Sequence, residues 1–453
     1  MAVIPMRKRR YDGGSNAPRT QGWRAPGTDA DTANQHPSVL RNRARDLRRN
    51  NPWAAKGVNV IVNNTIGYGI RAQWKNQRVQ RLWNNWAEST DCDARGRHDL
   101  YGLQSIVMGA VVESGECLIR LRPRRETDGL SVPFQLDVIE ADRLVETVDG
   151  ELRSGGIISR GIEYDTIGRR VAYYLYQHHP GAAVRGIRGD WSRYTRVPAD
   201  EVIHVYRQDR PEQERGVSWL APVIMTLREL DIYEDAYLKR QQIANLFAMM
   251  VITDGDVADT EAVYSDLTDG LMPGATYTMR PGHTVEFSEP PKADDYGPFT
   301  KQTLHRIAAG LGVTAEALSG DLSEVNYSSG RMGWQEFGRA IDAWRWQMFI
   351  PTFCSGVARW FSTVAGVTGS PTWTPPARTL VDPKNEVPAI KNAVRAGLMS
   401  LAEAQREQGY DPDQLLAEIA EYNAKLDALG IRLDSDPRVD KPVVAPQEQS
   451  NDS

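Results

Sequence analysis

Residues 41–58 read RNRARDLRRNNPWAAKGV: five arginines in nine positions, then Asn-Asn-Pro-Trp and a small apolar run. Two successive helices account for the change. Leu40, Ala44 and Leu47 make an i, i+4, i+7 stripe behind Ser38, a residue able to cap. Asn51 then caps a second helix with Pro52 at its first position, where the missing N–H has no helical partner to lose. That helix turns Ala54, Val58, Ile61 and Val62 inward and stops at Gly67-Tyr68-Gly69, where glycine permits a left-handed turn. A third amphipathic helix through QRLWNNWAEST puts Leu82, Trp83 and Trp86 inside. The arginines therefore belong to packed scaffold, not to a helix that reads bases.

The chain has 453 residues, enough for two or three domains, with 25% charged and 41% hydrophobic residues, as in ordinary folded proteins. Net charge is −5, which excludes bulk attraction to nucleic acid. The charge is uneven: Arg7, Lys8, Arg9, Arg10 and the arginines from Arg41 to Arg49 lie near one end, and the tail beyond Glu386 is mostly acidic. Such asymmetry fits different partners at the two ends, subunits meeting head to tail, or simply two solvated surfaces. Cys92, Cys117 and Cys354 are far apart, which fits a reducing compartment with no disulfide framework and no zinc ribbon. MAVIPMRKRR has no apolar stretch after its charges, and LFAMMVI at 246–252 is too short to span a bilayer. We expect an intracellular soluble protein with no membrane partner.

Residues 1–37 lack periodicity and predict a flexible arm. Residues 105–210 carry ECLIRLRPR, FQLDVIEADRL, GGIISRGIEYD, RRVAYYLYQHH and DEVIHVYR, short β-branched or aromatic runs that predict strands, with a hairpin turn at Asp165 to Gly168. From 218 to 251, Val223, Leu227, Leu230, Tyr233, Tyr237, Ile243 and Phe247 predict a helix of ~30 residues, roughly 45 Å long. A turn-rich segment follows (252–297), and a second helix returns at 298–318. Two helices bracketing a small knob make a stalk and a tip. Residues 319–333 read as a polar loop, and 334–375 as a helix carrying Trp334, Phe337, Ile341, Trp344 and Phe349 plus a proline-rich connector. Residues 376–432 are acidic and helical, and 433–453 a disordered tail. The fold class is α+β, mainly helical.

Catalytic patterns are absent. There is no GxxxxGK[ST] loop to cradle phosphates, no HExxH and no GxSxG elbow. Cys92, His98 and Asp99 are neighbours in sequence, whereas catalytic pairs are assembled from separate elements, so they read as structural. His178-His179 closes a strand, and the tryptophans from Trp334 to Trp360 read as core, not a base-stacking platform. We expect no enzyme, no cofactor and no metal.

Several of these stretches together resemble the lambda-type portal proteins of tailed bacteriophages. RNNPWAAKGVNVIVNNTIGYGI is similar to that family's amino-terminal signature, and SGECLIRLRP, LDVIEADRL and GIEYDTIGRRVAYYLYQ to its β-rich region. NYSSGRMGWQEFGRAIDAWRWQMF is the most specific match, and VDPKNEVPAIKNAVRAGLMSLAEAQREQGYDPDQL resembles the carboxy-terminal end, so the likeness spans roughly residues 20–430 in order. It implies a portal-type fold and a twelvefold ring at one capsid vertex, the channel for DNA packaging and ejection. In those terms 38–217 is the wing, 218–251 and 298–318 are stem helices and 252–297 the clip that docks the motor. Residues 319–333 are the tunnel loop, 334–375 return to the wing and 376–432 are the crown. The tunnel loop would present Asp321, Glu324, Asn326, Tyr327, Ser328, Ser329 and Arg331; the clip, Arg280, His283, Glu286 and Glu289. Arg41, Arg45, Arg48 and Arg49 would face other subunits or the capsid. Implied partners are further copies of the chain, the terminase large subunit, major capsid and scaffold proteins, head-completion and tail connector proteins, and duplex DNA passing without sequence readout. The implied location is the virion vertex, after assembly in the host cytoplasm. A second reading is a sequence-independent DNA-binding or recombination factor, which would need a dominant basic face that this composition disfavours.

Overall fold

The computed structural model describes residues 21, 22, 25, 27–182, 193–245, 249–253, 283–287, 296–378 and 382–433. Most of the expected arm and tail lies outside them. The end of the arm is anchored: α1 (Ala30–Ala33) is capped by Asp29, and the Asp31 carboxylate accepts from the backbone N–H groups of Glu214 (2.9 Å) and Arg215 (3.2 Å). Helix α2 (Pro37–Asn50) begins behind His36 without a side-chain cap, so Ser38 lies in its first turn and is not the cap expected. Asn51 does cap α3 (Pro52–Thr65), accepting from Ala54 N–H at 2.8 Å, with Pro52 at its first position.

Helix α4 (Gln77–Ala87) delivers Trp83 and Trp86 to an aromatic cluster. Trp83 lies 5.8 Å from Trp74, 5.0 Å from Phe361 and 6.3 Å from Trp373, and Trp86 stacks on Phe134 at 4.6 Å. Such rings bury large apolar areas and prefer these tilted and offset geometries. Helix α5 (Leu100–Ser114) corrects the expectation that strands begin at 105. It enters the main core with Leu103, Val107, Met108, Val111 and Val112 buried, and because it also carries apolar residues such as Ile106 on its outer side it shows little helical stripe in the sequence. It ends at Gly115, whose φ of +93° and contact with the backbone of Val217 (2.5 Å from an added Cβ) leave no room for a side chain. Gly115→Ala is expected to lower stability by about 1–3 kcal/mol, read as a fall in the denaturation midpoint; an unchanged midpoint would mean that the crossing relaxes freely.

Beyond Gly115 lie two antiparallel sheets. β2 (Glu116–Pro123) is the middle strand of one, between β3 (Phe134–Glu140) and β9 (Val202–Tyr206). The other runs β4 (Gly150–Glu151), β5 (Ile157–Ser159), β6 (Ile162–Tyr164), β7 (Arg170–Tyr176) and β8 (Tyr194–Pro198) in order. Its β6–β7 turn uses Asp165, which accepts from Ile167 and Arg169 N–H groups. A second core between the sheets holds Leu118, Ile139, Ile162, Tyr173, Leu175 and Val197.

The expected rod at 218–251 is shorter. Helix α6 (Ile224–Asn245) has 22 residues, about 33 Å at 1.5 Å per residue, and Met249–Thr253 is already strand β10. The return helix α7 (Tyr296–Leu311) stops at Gly312 (φ +72°), and α8 (Ala315–Ser319) follows as a separate turn. Helix α9 (Tyr327–Ala343) continues through Trp344–Cys354 in the wider π register and then as α10 (Ser355–Ala365). Pro351 lies inside the π stretch; the Thr352 hydroxyl donates to Met348 O at 2.5 Å, and Ser355 N–H reaches Ile350 O. β12 (Thr372–Thr374) pairs with β1 (Arg71–Gln73), tying the end of this long helix to α4. Helices α11 (Pro383–Arg395), α12 (Leu401–Glu407) and α13 (Pro412–Leu429) finish the described chain.

Candidate channel loop and its supports

Helices α6 and α7 lie side by side, with Leu227, Leu230, Leu304, Ile307 and Leu311 in the main core. Farther along, rings replace aliphatics: Tyr237 stacks on Tyr296 at 4.4 Å, and Tyr233 meets Phe299 at 4.6 Å. The far end carries an antiparallel strand pair, β10 with β11 (His283–Phe287), Met250 opposite Glu286 and Thr253 opposite His283. At the near end Gly57 of α3 lies so close to α7 that an added Cβ would be 2.6 Å from Leu311 Cδ1. The base of the pair is therefore fixed to the scaffold.

The polar segment between α8 and α9 is confined to residues 320–326. Gly320 (φ +77°) ends α8, and Asn326 opens α9 by a capping box with Ser329, each side chain accepting from the other residue's N–H (2.8 and 3.2 Å). Between them Asp321 accepts from Ser323 N–H at 3.0 Å, and the Ser323 donors hold its carboxyl below its ordinary range. Glu324, 78% exposed, meets Lys301 of α7 at 2.6 Å, and that hydrogen bond raises the Lys301 amine. The result is a short, solvated, net acidic loop latched to one helix by an exposed ion pair.

Residues 16–345 match the family model described as phage portal protein, lambda family. The chain belongs to the lambda family of phage portal proteins. Its function is that of a phage portal. It is 27% identical over 431 residues to a probable portal protein of Halomonas phage phiHAP-1, covering 87% of this chain and 81% of that one. Against portal protein B of Escherichia phage lambda the identity is 21% over 501 residues, 93% and 91% of the two chains. Among solved structures, the neck of a native gene transfer agent particle computed with C12 symmetry aligns with a TM-score of 0.51 at 16% identity, covering 82% of this chain and 94% of that chain. That likeness is one of fold.

Of the residues assigned to a tunnel loop, Asp321, Glu324 and Asn326 lie in the 320–326 segment. Tyr327, Ser328, Ser329 and Arg331 do not: they form the first turns of α9, because the Asn326–Ser329 box starts the helix there. Tyr327 donates to Asp382 (3.4 Å) and Arg331 faces Glu386 at 3.8 Å, which ties this end of α9 to α11. Of the clip residues, His283 and Glu286 lie in β11, and Arg280 and Glu289 fall outside the described residues.

The arginines of α2 require a further correction. Arg41 is 3% exposed and reaches Asp142 (3.3 Å), Glu146 (3.2 Å) and Glu116 (3.9 Å) of its own chain. Arg45 pairs with Asp142 at 2.6 Å, and Arg48 with Glu113 at 2.8 Å. These three guanidiniums are engaged by carboxylates of their own chain; Arg49 alone of the four is exposed. The centre of the network is Glu116, which accepts from Arg215 Nε at 3.0 Å and Nη2, from His204 Nε2 (3.0 Å) and from Gly216 N–H (2.9 Å). Burial alone would raise its carboxyl; Arg215 and His204 outweigh that and hold it well below its ordinary range. Burial pushes His204 down. Sequence reading missed Glu116, Arg215 and Lys301, because each partner lies far away in the chain.

Proposed function

We propose that copies of this chain close into a ring, twelvefold as the symmetry of the gene transfer agent neck suggests, at one capsid vertex. In this reading α6 and α7 line a bore, and residues 320–326 form its constriction, through which duplex DNA is packaged and later leaves. The observation that carries it is the loop itself, solvated, net acidic and fixed at both ends by helices. Duplex DNA carries one charge per ~1.7 Å of axis, and its retention follows the number of phosphates neutralised. Asp321, and Glu324 whenever it parts from Lys301, repel phosphates and favour sliding. The chain supplies the conduit and no catalysis, so the force comes from a terminase docked at the tip near His283 and Glu286. Capsid, scaffold and connector proteins take the remaining faces, with assembly in the host cytoplasm and residence in the virion. Electron microscopy of the purified chain tests this directly. Rings with a central channel are expected; a monodisperse monomer at micromolar concentration would refute the reading.

A further inference from the structure

A second concentration of charge lies on the three-stranded sheet. Arg120 and Arg122 alternate along one face of β2, opposite Asp137 and Gln135 of β3, and Arg124 follows in the same period with its Nε on Gln135 at 2.7 Å. Arg95 and Arg143 converge on them from outside the strand. Asp137 is the carboxylate they share, 2.8 Å from Arg122 Nη2 and 3.7 Å from Arg95 Nη2. Arg143 directs its fork to the carbonyls of Tyr176 (2.9 Å) and Gln177 (3.0 Å), which leaves its charge without a counter-ion there. Arg120 Nε is buried with no acceptor. Burial first, then repulsion from Arg122, lowers the Arg120 guanidinium; Arg143 is lowered by burial and by Arg122, Arg120 and Arg95 despite Asp137.

We propose that this face of β2 and β3 binds a carboxylate-rich polypeptide segment of a partner protein, with the exposed Arg95 and the half-buried Arg120 supplying the positive charge. The chemistry is already displayed by Asp137, a carboxylate held between two guanidiniums. An extended segment repeats its side chains on one face every second residue, about 6.6 Å, which is the spacing of Arg120 and Arg122 along β2. Exposed acids bound the patch at both ends: Glu126 and Asp128 beyond Pro123, and Glu140 at the end of β3. A polypeptide can place its carboxylates between those limits. A duplex, with its unbroken charge, must lie across them.

The test uses the full-length assembled protein and a fluorescein-labelled peptide of alternating Glu and Gly, against its Gln-Gly counterpart and a short duplex DNA. Saturable binding of the Glu peptide, at least tenfold tighter than the Gln peptide, is expected. Arg95→Gln with Arg120→Gln should lower that affinity at least tenfold at unchanged oligomer mass and melting temperature. Arg95→Gln alone, at a side chain 62% exposed, should lower it about threefold. Arg43→Gln, exposed on α2, should leave it unaltered. Equal binding of the two peptides, an equal loss in the α2 control, or tighter binding of the duplex at this patch would overturn the proposal. Loss of the oligomer in the double variant would do so too, since the face would then be a seam between copies.

Discussion

Replacing Glu116 by Gln is expected to cost about 3–5 kcal/mol, because it takes from the buried Arg215 its main counter-charge and leaves it only Glu146 at 3.2 Å. The same change loosens the junction of β2 with β9 and the Arg215 segment, so yield of folded chain should fall with it. Replacing both partners, Glu116→Leu with Arg215→Leu, should cost less than the two single changes summed, since an apolar pair needs no counter-charge. The pH dependence follows from the directions of the shifts. His204 and Glu116 both titrate lower folded than unfolded. Each therefore contributes stability that is present above its ordinary pKa and lost as pH falls through the folded value: His204 below about 6.5, Glu116 below about 4.3. Denaturation midpoints should be level above pH 7 and decline in acid, and Glu116→Gln should flatten the lower part of that decline. A single substitution costing under about 1 kcal/mol would show that the network does not hold the junction of β2 with β9.

Removing residues 321–325, with Gly320 and the Asn326 cap retained, is expected to leave ring mass and melting temperature unaltered and to reduce the yield of full-genome capsids by orders of magnitude. The ends of the deletion matter. Carrying it on through Ser329 would destroy the capping box and fray α9, and any defect would then report the helix, not the loop. The shorter deletion removes Glu324 from Lys301, an exposed pair of little consequence for stability. Filled, stable particles from such a mutant would show that the loop is not the element that meets DNA.

Much of the architecture is legible in local chemistry. Asn51-Pro52 opens a helix, Asp165 to Gly168 turns a hairpin, and the stripes of Trp83 with Trp86 and of Phe337 with Ile341 point inward. What was hidden depends on distance. Helix α5 is apolar over most of its circumference, its exposed Ile106 included, so no broad polar face betrays its period. The return helix shortens and the loop contracts because their ends are set by Gly312, Gly320 and the Asn326–Ser329 box, whose effect exceeds that of the surrounding polarity. The arginines of α2 read as a surface because their carboxylates, Glu113, Glu116, Asp142 and Glu146, lie far along the chain.

The π-helical stretch sets a limit on how this chain can change length. The faces on either side of it, Phe337 and Ile341 before and Val357 and Phe361 after, both enter the main core. Each residue of an α-helix advances the face by about 100°. Loss of one residue between Trp344 and Cys354, where the wider register turns less per residue, would carry everything downstream round by roughly a quarter turn and swing Phe361 away from Trp74, Trp83 and Trp86. Residues added in the segment before Asn326 rotate nothing, because a new cap restarts the count. The reach of the loop is therefore free to change without disturbing the core, whereas the number of residues from cap to aromatic cluster is fixed by rotational phase.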